Sequence, residues 1–95
     1  MKLPASFEMT ITRSDFLRLL PAAVNQATFV VAGENIVHWE EGRCWRMTLA
    51  PLPELKLGAI RLERHRLDLA FENYPEAEIA AFLKRFELYF RRGGG

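Results

Sequence analysis

The stretch NYPEAEIAAFLKRFELYFRRG, residues 73–93, decides the fold of this 95-residue chain. Asn73 stands three residues before Glu76, which is the spacing of a capping box, and Pro75 suits the first turn of a helix. Acidic residues lie near the start of the stretch and basic residues near its end, as the helix dipole favours. Gly93 is a suitable stop signal. The stretch therefore predicts one long helix with Asn73 as its N-cap.

One face of this predicted helix is strongly apolar. Its members follow helical spacing: Ile79, Phe82, Leu83, Phe86 and Phe90. Burial of each large side chain is worth about 2 kcal/mol, so this face needs a second layer of structure to cover it. We expect residues 76–91 to be helical, with Phe82, Leu83 and Phe86 among the most buried positions.

The composition is that of one ordinary globular domain, 1–95. The chain is 49% hydrophobic and 26% charged, and its net charge of +1 gives no long-range attraction to nucleic acid or to an anionic membrane. Its one cysteine cannot form an intramolecular disulfide, and no apolar run approaches transmembrane length. We expect a single cytoplasmic domain that does not enter a membrane, with about 93–95 as a mobile C-terminal tail.

Strands and a shorter helix precede the long helix. Residues 7–11 alternate apolar and polar side chains, which indicates a half-buried strand. Thr12 or Ser14 then caps a short helix, in which Pro21 predicts a kink or a division into two pieces. Further strand segments follow at residues 29–31, 36–40 and 43–49.

Residues 40–42, Glu-Glu-Gly, predict a three-residue hairpin loop with glycine in the left-handed position. This register places Trp39 opposite Arg43 and His38 opposite Cys44. The face towards the helices then carries Val37, Trp39, Trp45, Met47 and Leu49, and the outer face carries Val30, Ile36, His38, Cys44 and Ala70.

Pro51 and Pro53 are expected to end the fourth strand, because proline cannot donate to a ladder. A last hairpin is then predicted from residues 58–63 and 66–72, with its turn at residues 64–65. The proline-rich loop contains Leu52, Leu55 and Leu57, and the inward positions of the hairpin are Ile60, Leu62, Leu67, Leu69 and Phe71.

These elements predict an α+β fold. We expect a single curved antiparallel sheet in the order β-α-β-β-β-β-β-α, with both helices packed on one face. This order of elements resembles the TATA-binding-protein-like half-domain and a shortened helix-grip fold. The resemblance implies a two-layer architecture and no particular activity, since fold does not determine function.

His38 and Cys44 are the nearest approach to a reactive pair, because the predicted register makes them neighbours on the outer face. An imidazole beside a thiol lowers the thiol pKa and favours a nucleophile. An open sheet face supplies no orienting third group and no oxyanion hole, so we expect an inert surface pair. With His65 as the one further soft ligand, the set is too sparse for a zinc site. We predict no catalytic residue, no metal site and no cofactor.

Two basic clusters are candidates for phosphate contacts. They consist of Arg61, Arg64, His65 and Arg66 at the predicted hairpin tip, and of Lys84, Arg85, Arg91 and Arg92 near the end of the long helix. Glu63, Asp68 and Glu87 lie among them, and no aromatic ladder for base stacking accompanies them. Solvated charges are the preferred interpretation, with weak nucleic-acid binding through the Arg clusters as a less favoured alternative.

The sequence favours a small non-enzymatic module that binds a protein partner or a second copy of itself. Its candidate interaction surface comprises Ile36, His38, Cys44, Arg46, Thr48 and Arg61 on the outer sheet face, with Leu52 and Leu55 in the proline-rich loop. Exposed leucines there form an apolar patch of the kind that marks interaction sites. The alternative is a domain that binds a small apolar ligand between the sheet and the long helix, with Trp39 and Trp45 lining the cavity.

Overall fold

The computed structural model describes residues 5–94 of the chain, with side chains described for residues 5–90. The elements in chain order are β1 Ala5–Met9, α1 Arg13–Ala23, β2 Val30–Ala32, β3 Asn35–Glu40, β4 Arg43–Leu57, β5 Ile60–Glu72 and α2 Glu76–Gly94. The strands form one antiparallel sheet in the order β1-β5-β4-β3-β2. The predicted α+β class is confirmed, although the sheet formed by the described residues has five strands where six were expected.

Both helices pack on one face of the sheet, which we call the inner face. α1 contributes Phe16 and Leu20 to the core, and α2 contributes Ile79 and Phe86. The sheet contributes alternate residues of its three central strands: Ile36, Trp45, Met47, Leu49, Leu67, Leu69 and Phe71. Phe86 is 1% exposed, as predicted, whereas Phe82 and Leu83 are only partly buried.

Helix α1 begins at a side-chain cap. The hydroxyl oxygen of Thr12 accepts a hydrogen bond from the backbone N–H of Asp15 at 3.1 Å, so Thr12 and not Ser14 is the N-cap. Pro21 lies inside a single helix of 11 residues, and the predicted division into two pieces does not occur. Pro21 has no N–H to donate to the carbonyl of Leu17, and the helix ends two residues later, at Ala23.

Helix α2 confirms the predicted long helix but not its cap. Asn73 adopts a left-handed conformation with φ of 64°, and its side chain donates to the carbonyl of Gly42 at 2.9 Å. The carbonyl of Pro75 accepts the first backbone bonds, from Glu78 and from Ile79. The helix also runs to Gly94, past its predicted stop, and the end of the predicted mobile tail, residue 95, lies outside the described part of the chain.

The β3–β4 hairpin has a different register from the predicted one. Glu40 pairs with Arg43 and Trp39 with Cys44, so the loop has two residues, Glu41 and Gly42, and not three. Gly42 adopts φ of 79°, which suits a tight turn closed by glycine. The shift by one position exchanges the two faces of β3. Ile36 and His38 therefore lie on the inner face, and Val37 and Trp39 lie on the outer face.

Strands β4 and β5 form one long hairpin. Leu57 pairs with Ile60 across a turn at Gly58 and Ala59, and the pairing continues to Cys44 and Glu72. The predicted end of β4 at the prolines and the predicted turn at residues 64–65 are therefore wrong. Both predictions divided strands that in fact extend past the edge of the two-layer body.

Strand β4 accepts its prolines because its neighbour β3 stops short. The backbone N–H of Leu49 bonds to the carbonyl of Glu34 on the β3 side. Residues two apart point their backbone groups to the same side, so the nitrogen of Pro51 also faces that side, where β3 has already ended. Pro53 falls in a bulge, where the register shifts between Leu52 and Leu55.

Candidate interaction surface

The candidate surface begins with the part of the β4–β5 hairpin that extends beyond the helices. We call residues 51–57 and 60–64, with their turn, the arm. Three of its aliphatic side chains are strongly exposed: Leu55 at 40%, Leu57 at 55% and Ile60 at 59%. Leucines and isoleucines exposed side by side to this degree require an explanation, because isolated exposed apolar residues are common but contiguous groups are not.

Pairing brings these side chains onto one face. Leu55 is opposite Leu62 and Leu57 is opposite Ile60, and directly paired residues share a face. The extra residue in the β4 bulge keeps Leu52 on that face as well, opposite Arg64. The even-numbered residues of β5 point away from the helices, since the odd-numbered ones from 65 to 71 are buried. The aliphatic ladder is formed by Leu52, Leu55, Leu57, Ile60 and Leu62, on the outer face.

The opposite face of the arm is charged. Lys56 pairs with Arg61, and Arg61 lies 4.0 Å from the carboxylate of Glu54. Glu63 points to the same side, towards the helices. The arm is therefore amphipathic as a ribbon, with aliphatic side chains outside and charges inside. This is the reverse of the sheet body, where the apolar side faces the helices.

The outer face of the sheet body is more polar than the ladder. The Ser6 hydroxyl donates to Asp68 at 2.8 Å, and Arg66 donates to the same carboxylate oxygen at 3.1 Å. The hydrogen bond from Ser6, followed by that from Arg66, lowers the pKa of Asp68 below its ordinary range. Thr48 donates to Asn35 at 3.3 Å in the same band. This polar band forms one border of the aliphatic ladder.

A second apolar group lies beyond the polar band. Trp39 is 63% exposed, and Val30 is 58% exposed opposite Val37. Cys44 pairs with Trp39 and is itself buried, with its thiol 3.5 Å from a carboxylate oxygen of Glu72. The exposed tryptophan was predicted to lie in the core, and the two-residue loop is the reason that it does not.

The structure separates the predicted surface residues into three groups. Cys44, Arg46 and Thr48 lie on the outer face of the body as predicted, and Leu52 and Leu55 belong to the aliphatic ladder. The placement of Arg61 on the outer face was wrong, because Arg61 lies in the arm on the side that faces the helices. The placement of Ile36 and His38 on the outer face was wrong: both are buried on the inner face, at 0% and 9% exposure. Leu57 is exposed, as predicted for the leucines of the proline-rich loop. Ile60 and Trp39 were predicted to face inward and are instead exposed on the outer face.

His38 and Cys44 do not form a pair, because they lie on opposite faces of the sheet. The His38 ring stacks on Trp45 with ring centroids 5.3 Å apart, and its Nδ1 hydrogen-bonds to the carbonyl of Thr28. Its Nε2 lies 3.5 Å from the Glu40 carboxylate. This histidine fills the core and satisfies a loop carbonyl, and it does not activate the thiol.

A polar cluster connects the β3–β4 turn to the start of α2. The Tyr74 hydroxyl donates to Glu40 at 2.9 Å, and Arg43 contacts the same carboxylate oxygen at 3.2 Å. Arg43 also contacts Glu78 at 2.7 Å and lies over the Tyr74 ring at 4.5 Å. The hydrogen bond from Tyr74 is the main cause that lowers the pKa of Glu40, and burial raises the pKa of Tyr74. The cluster is a structural clamp on the exposed surface.

The basic clusters are occupied by internal partners. Arg64 contacts Glu8 at 3.0 Å, Arg66 contacts Asp68, and His65 is buried with Nδ1 at 2.9 Å from the carbonyl of Ile11. In the second cluster, Arg85 donates to the carbonyl of Ala22 at the end of α1, at 3.0 Å. The ion pairs of Arg64 and Arg66 reduce the net positive charge available to a phosphate. The side chains of Arg91 and Arg92 lie outside the described part of the chain.

A groove of about 880 Å³ lies on the inner side of the arm. Its lining combines apolar residues of β1, α1 and α2 with charged residues of the arm and both helices. The predicted ligand cavity lay between the sheet and the long helix and was lined by Trp39 and Trp45. Those two side chains lie on opposite faces of the sheet and do not line one cavity. The groove is open and lies elsewhere, beside the end of β1.

Within residues 5–94, neither helix is long and apolar enough to cross a membrane. Among the described residues, no group of three histidine, cysteine or acidic side chains is arranged to hold a metal ion. Comparisons of the chain with protein-family models, with curated proteins and with solved structures find no match.

Proposed function

We propose that this protein is a non-enzymatic interaction module that associates with a second copy of itself through the aliphatic ladder of the arm. The observation that carries the proposal is that Leu55, Leu57 and Ile60 are exposed on one face of a two-stranded ribbon, with no helix of the described chain over them. A contiguous aliphatic surface in water is the usual property of an association site.

The gain from covering the ladder is substantial but limited. Full burial of one Leu or Ile side chain is worth about 1.5–3 kcal/mol, and the ladder side chains are already partly covered. The exposed ladder is on the order of a few hundred Å², which is less than the roughly 800 Å² per partner in a standard stable interface. We therefore expect a reversible dimer whose population depends on concentration in the micromolar range.

A second copy fits this surface better than a polar partner does. The two rows nearest the tip, Leu55 with Leu62 and Leu57 with Ile60, carry no polar side chain. A twofold axis through them would place aliphatic rows on aliphatic rows, which is the self-complementary arrangement of most homodimers. The net charge of +1 adds no appreciable repulsion between two copies.

The test is the mass in solution of the whole chain and two variants, measured by light scattering over a concentration series. We expect the wild type to rise from 11.0 kDa towards twice that mass as concentration increases. Leu57→Glu places a carboxylate on the ladder, where dimerisation would desolvate it, and should stay at the monomer mass. Lys56→Glu places a carboxylate on the adjacent residue of the other face and should behave as the wild type.

Thermal unfolding of both variants at low concentration provides the control for folding. Both substituted side chains remain in water in the monomer, so both midpoints should equal that of the wild type. A wild type that stays monomeric at every concentration contradicts the proposal. Equal loss of the dimer in the two variants would also contradict it, because the interface would then not be the aliphatic face.

Small apolar ligands and nucleic acid are the weaker alternatives. The separation of Trp39 from Trp45 weakens the support for a ligand site, and the ion pairs of Arg64 and Arg66 weaken the support for nucleic-acid binding. A salt titration against a generic oligonucleotide checks the nucleic-acid alternative, since binding through phosphates weakens steeply with salt. A cytoplasmic location remains a prediction from the sequence.

A further inference from the structure

The arm has two lateral edges, and they are not equivalent. On the β4 edge, Pro51 and Pro53 interrupt the row of backbone donors, as natural sheets do where an edge must not pair. On the β5 edge, β1 ends at Met9, opposite His65, and no strand of residues 5–94 pairs with residues 60–64 on the side away from β4. That segment contains no proline. One edge of the arm is therefore blocked and the other is open to a further strand.

The backbone groups at the open edge follow from the turn. Leu57 and Ile60 close a two-residue loop, so Ile60 bonds to β4. Antiparallel strands direct successive residues to alternate sides, so the N–H and C=O groups of Arg61 and Glu63 face the open edge. An extended segment placed there would continue the line of β1 and pair with these groups.

The groove of about 880 Å³ lies directly beside this edge. Its apolar lining includes Met9, Ile11 and Leu19, which are partly exposed, and Phe90. A strand added at the open edge would direct every second side chain into this groove. The other side chains would lie next to Ile60 and Leu62 on the outer face.

The charges of the groove select the kind of segment. The acidic side chains of its lining are Glu8, Asp15, Glu54, Glu63 and Glu87, and the basic ones are Arg18 and Arg61. Arg18 is paired with Asp15, Arg61 lies near Glu54, and Arg64, outside the lining, contacts Glu8. Five acidic side chains of the lining therefore stand against these three basic ones, and the formal charge of the groove is negative. Complementarity favours a segment with basic as well as apolar side chains on its groove side.

We propose that the open β5 edge and the adjoining groove bind an extended peptide segment of a partner protein, with alternating apolar and basic side chains directed into the groove. This is a second site, at the lateral edge of the arm, with its groove on the side opposite the aliphatic ladder, and it does not depend on self-association. Main-chain pairing supplies affinity in such a complex, and the groove supplies selectivity.

The test uses two synthetic eight-residue peptides with a fluorescent label, and anisotropy as the measure of binding. One carries Leu and Lys alternately on one face and Val and Thr on the other, and the second has Glu in place of Lys. The first should bind with a micromolar dissociation constant and the second at least about tenfold more weakly. Leu57→Glu, which acts on the outer face, should leave binding of the first peptide unchanged.

Two proline variants test the edge itself. Glu63→Pro removes a backbone donor from the open edge and leaves the hydrogen bonds between β4 and β5 in place. Binding of the peptide should therefore be lost. Lys56→Pro is the matched control, because by the same alternation its nitrogen faces the β4 edge that prolines already block. It should bind as the wild type does. Absence of binding to the wild type, equal binding of both peptides, or equal effects of the two prolines would each overturn the proposal.

Discussion

The two ends of the β4–β5 hairpin share an alternation of apolar and polar residues but have opposite surroundings. At the covered end, under the helices, Trp45, Met47 and Leu49 are at most 2% exposed. In the arm, Leu55, Leu57 and Ile60 are 40–59% exposed. Both ends alternate apolar with polar residues, so alternation alone does not distinguish a core from a surface. The difference comes from the helices, which cover one end and stop before the other.

The apolar side also changes face between the two ends. In β5 the apolar residues are odd-numbered at the covered end, as in Leu67 and Leu69, and even-numbered in the arm, as in Ile60 and Leu62. In β4 the bulge at Pro53 likewise moves the apolar side chains to the outer face. Because both strands change together, the aliphatic residues of the arm form a continuous ladder on the outside. A chain that only needed a longer core would have kept them on the inside.

The largest expected effect distinguishes the two ends by stability. Phe86→Ala should lower the free energy of unfolding by about 3–5 kcal/mol, because Phe86 is enclosed by the rings of Phe7, Phe16 and Phe90. Leu57→Ala in the arm should lower it by about 0.5 kcal/mol or less in the monomer. Urea unfolding at low protein concentration measures both. Equal losses would show that the arm belongs to the folded core.

A medium effect tests the corrected faces of β3. His38→Ala removes the partner of the Thr28 carbonyl and should cost about 1–3 kcal/mol. Trp39→Ala is the larger truncation, but Trp39 faces water and should cost less than about 1 kcal/mol. The same urea experiment decides between the two registers. A greater loss of stability for Trp39→Ala would support the register with a three-residue loop, in which Trp39 is buried.

A smaller effect concerns pH and the clamp at the covered end. The folded state lowers the pKa of Glu40 from its ordinary 4.5, so its contribution to stability is present above pH 4.5 and is lost as pH falls through the lowered value. Tyr74→Phe removes the main cause of this shift. The difference in melting temperature between wild type and Tyr74→Phe should therefore shrink below pH 4.5. A difference that is constant with pH would contradict the assigned role of the hydrogen bond.

The matching pair in the arm supplies the control for this pH dependence. Arg61 and Glu54 are both well exposed and 4.0 Å apart, so their interaction is worth little in water. Arg61→Gln should leave the pH dependence of melting unchanged. A response as large as that of Tyr74→Phe would mean that surface charges in general, and not the clamp, set the acid stability.

Much of the fold was predictable because it depends on local periodicity. The spacing of Ile79, Phe86 and their neighbours predicted α2, and Thr12 was one of two proposed caps for α1. The register of the β3–β4 hairpin was not predictable from pattern, because both strands are apolar on both faces near the turn. Trp39 and His38 are equally plausible core residues until the length of the loop is known.

The site was less predictable, for a different physical reason. Pro51 and Pro53 normally end a strand, and here they are accommodated because β3 stops before them, which is a fact about a neighbouring strand. The sequence shows that the apolar side chains of β5 change from even-numbered to odd-numbered positions at residues 64–65. This change was interpreted as a turn, whereas it records the change of the apolar side from the inner to the outer face.

The most direct test of the central claim is an isotope-filtered NMR experiment on an equimolar mixture of labelled and unlabelled protein. It reports methyl contacts between copies and excludes contacts within one copy. We predict intermolecular contacts among the methyl groups of Leu55, Leu57, Ile60 and Leu62. Intermolecular contacts that arise from other surfaces, or none at concentrations near the millimolar range, would contradict the assignment of the aliphatic ladder as the surface of self-association.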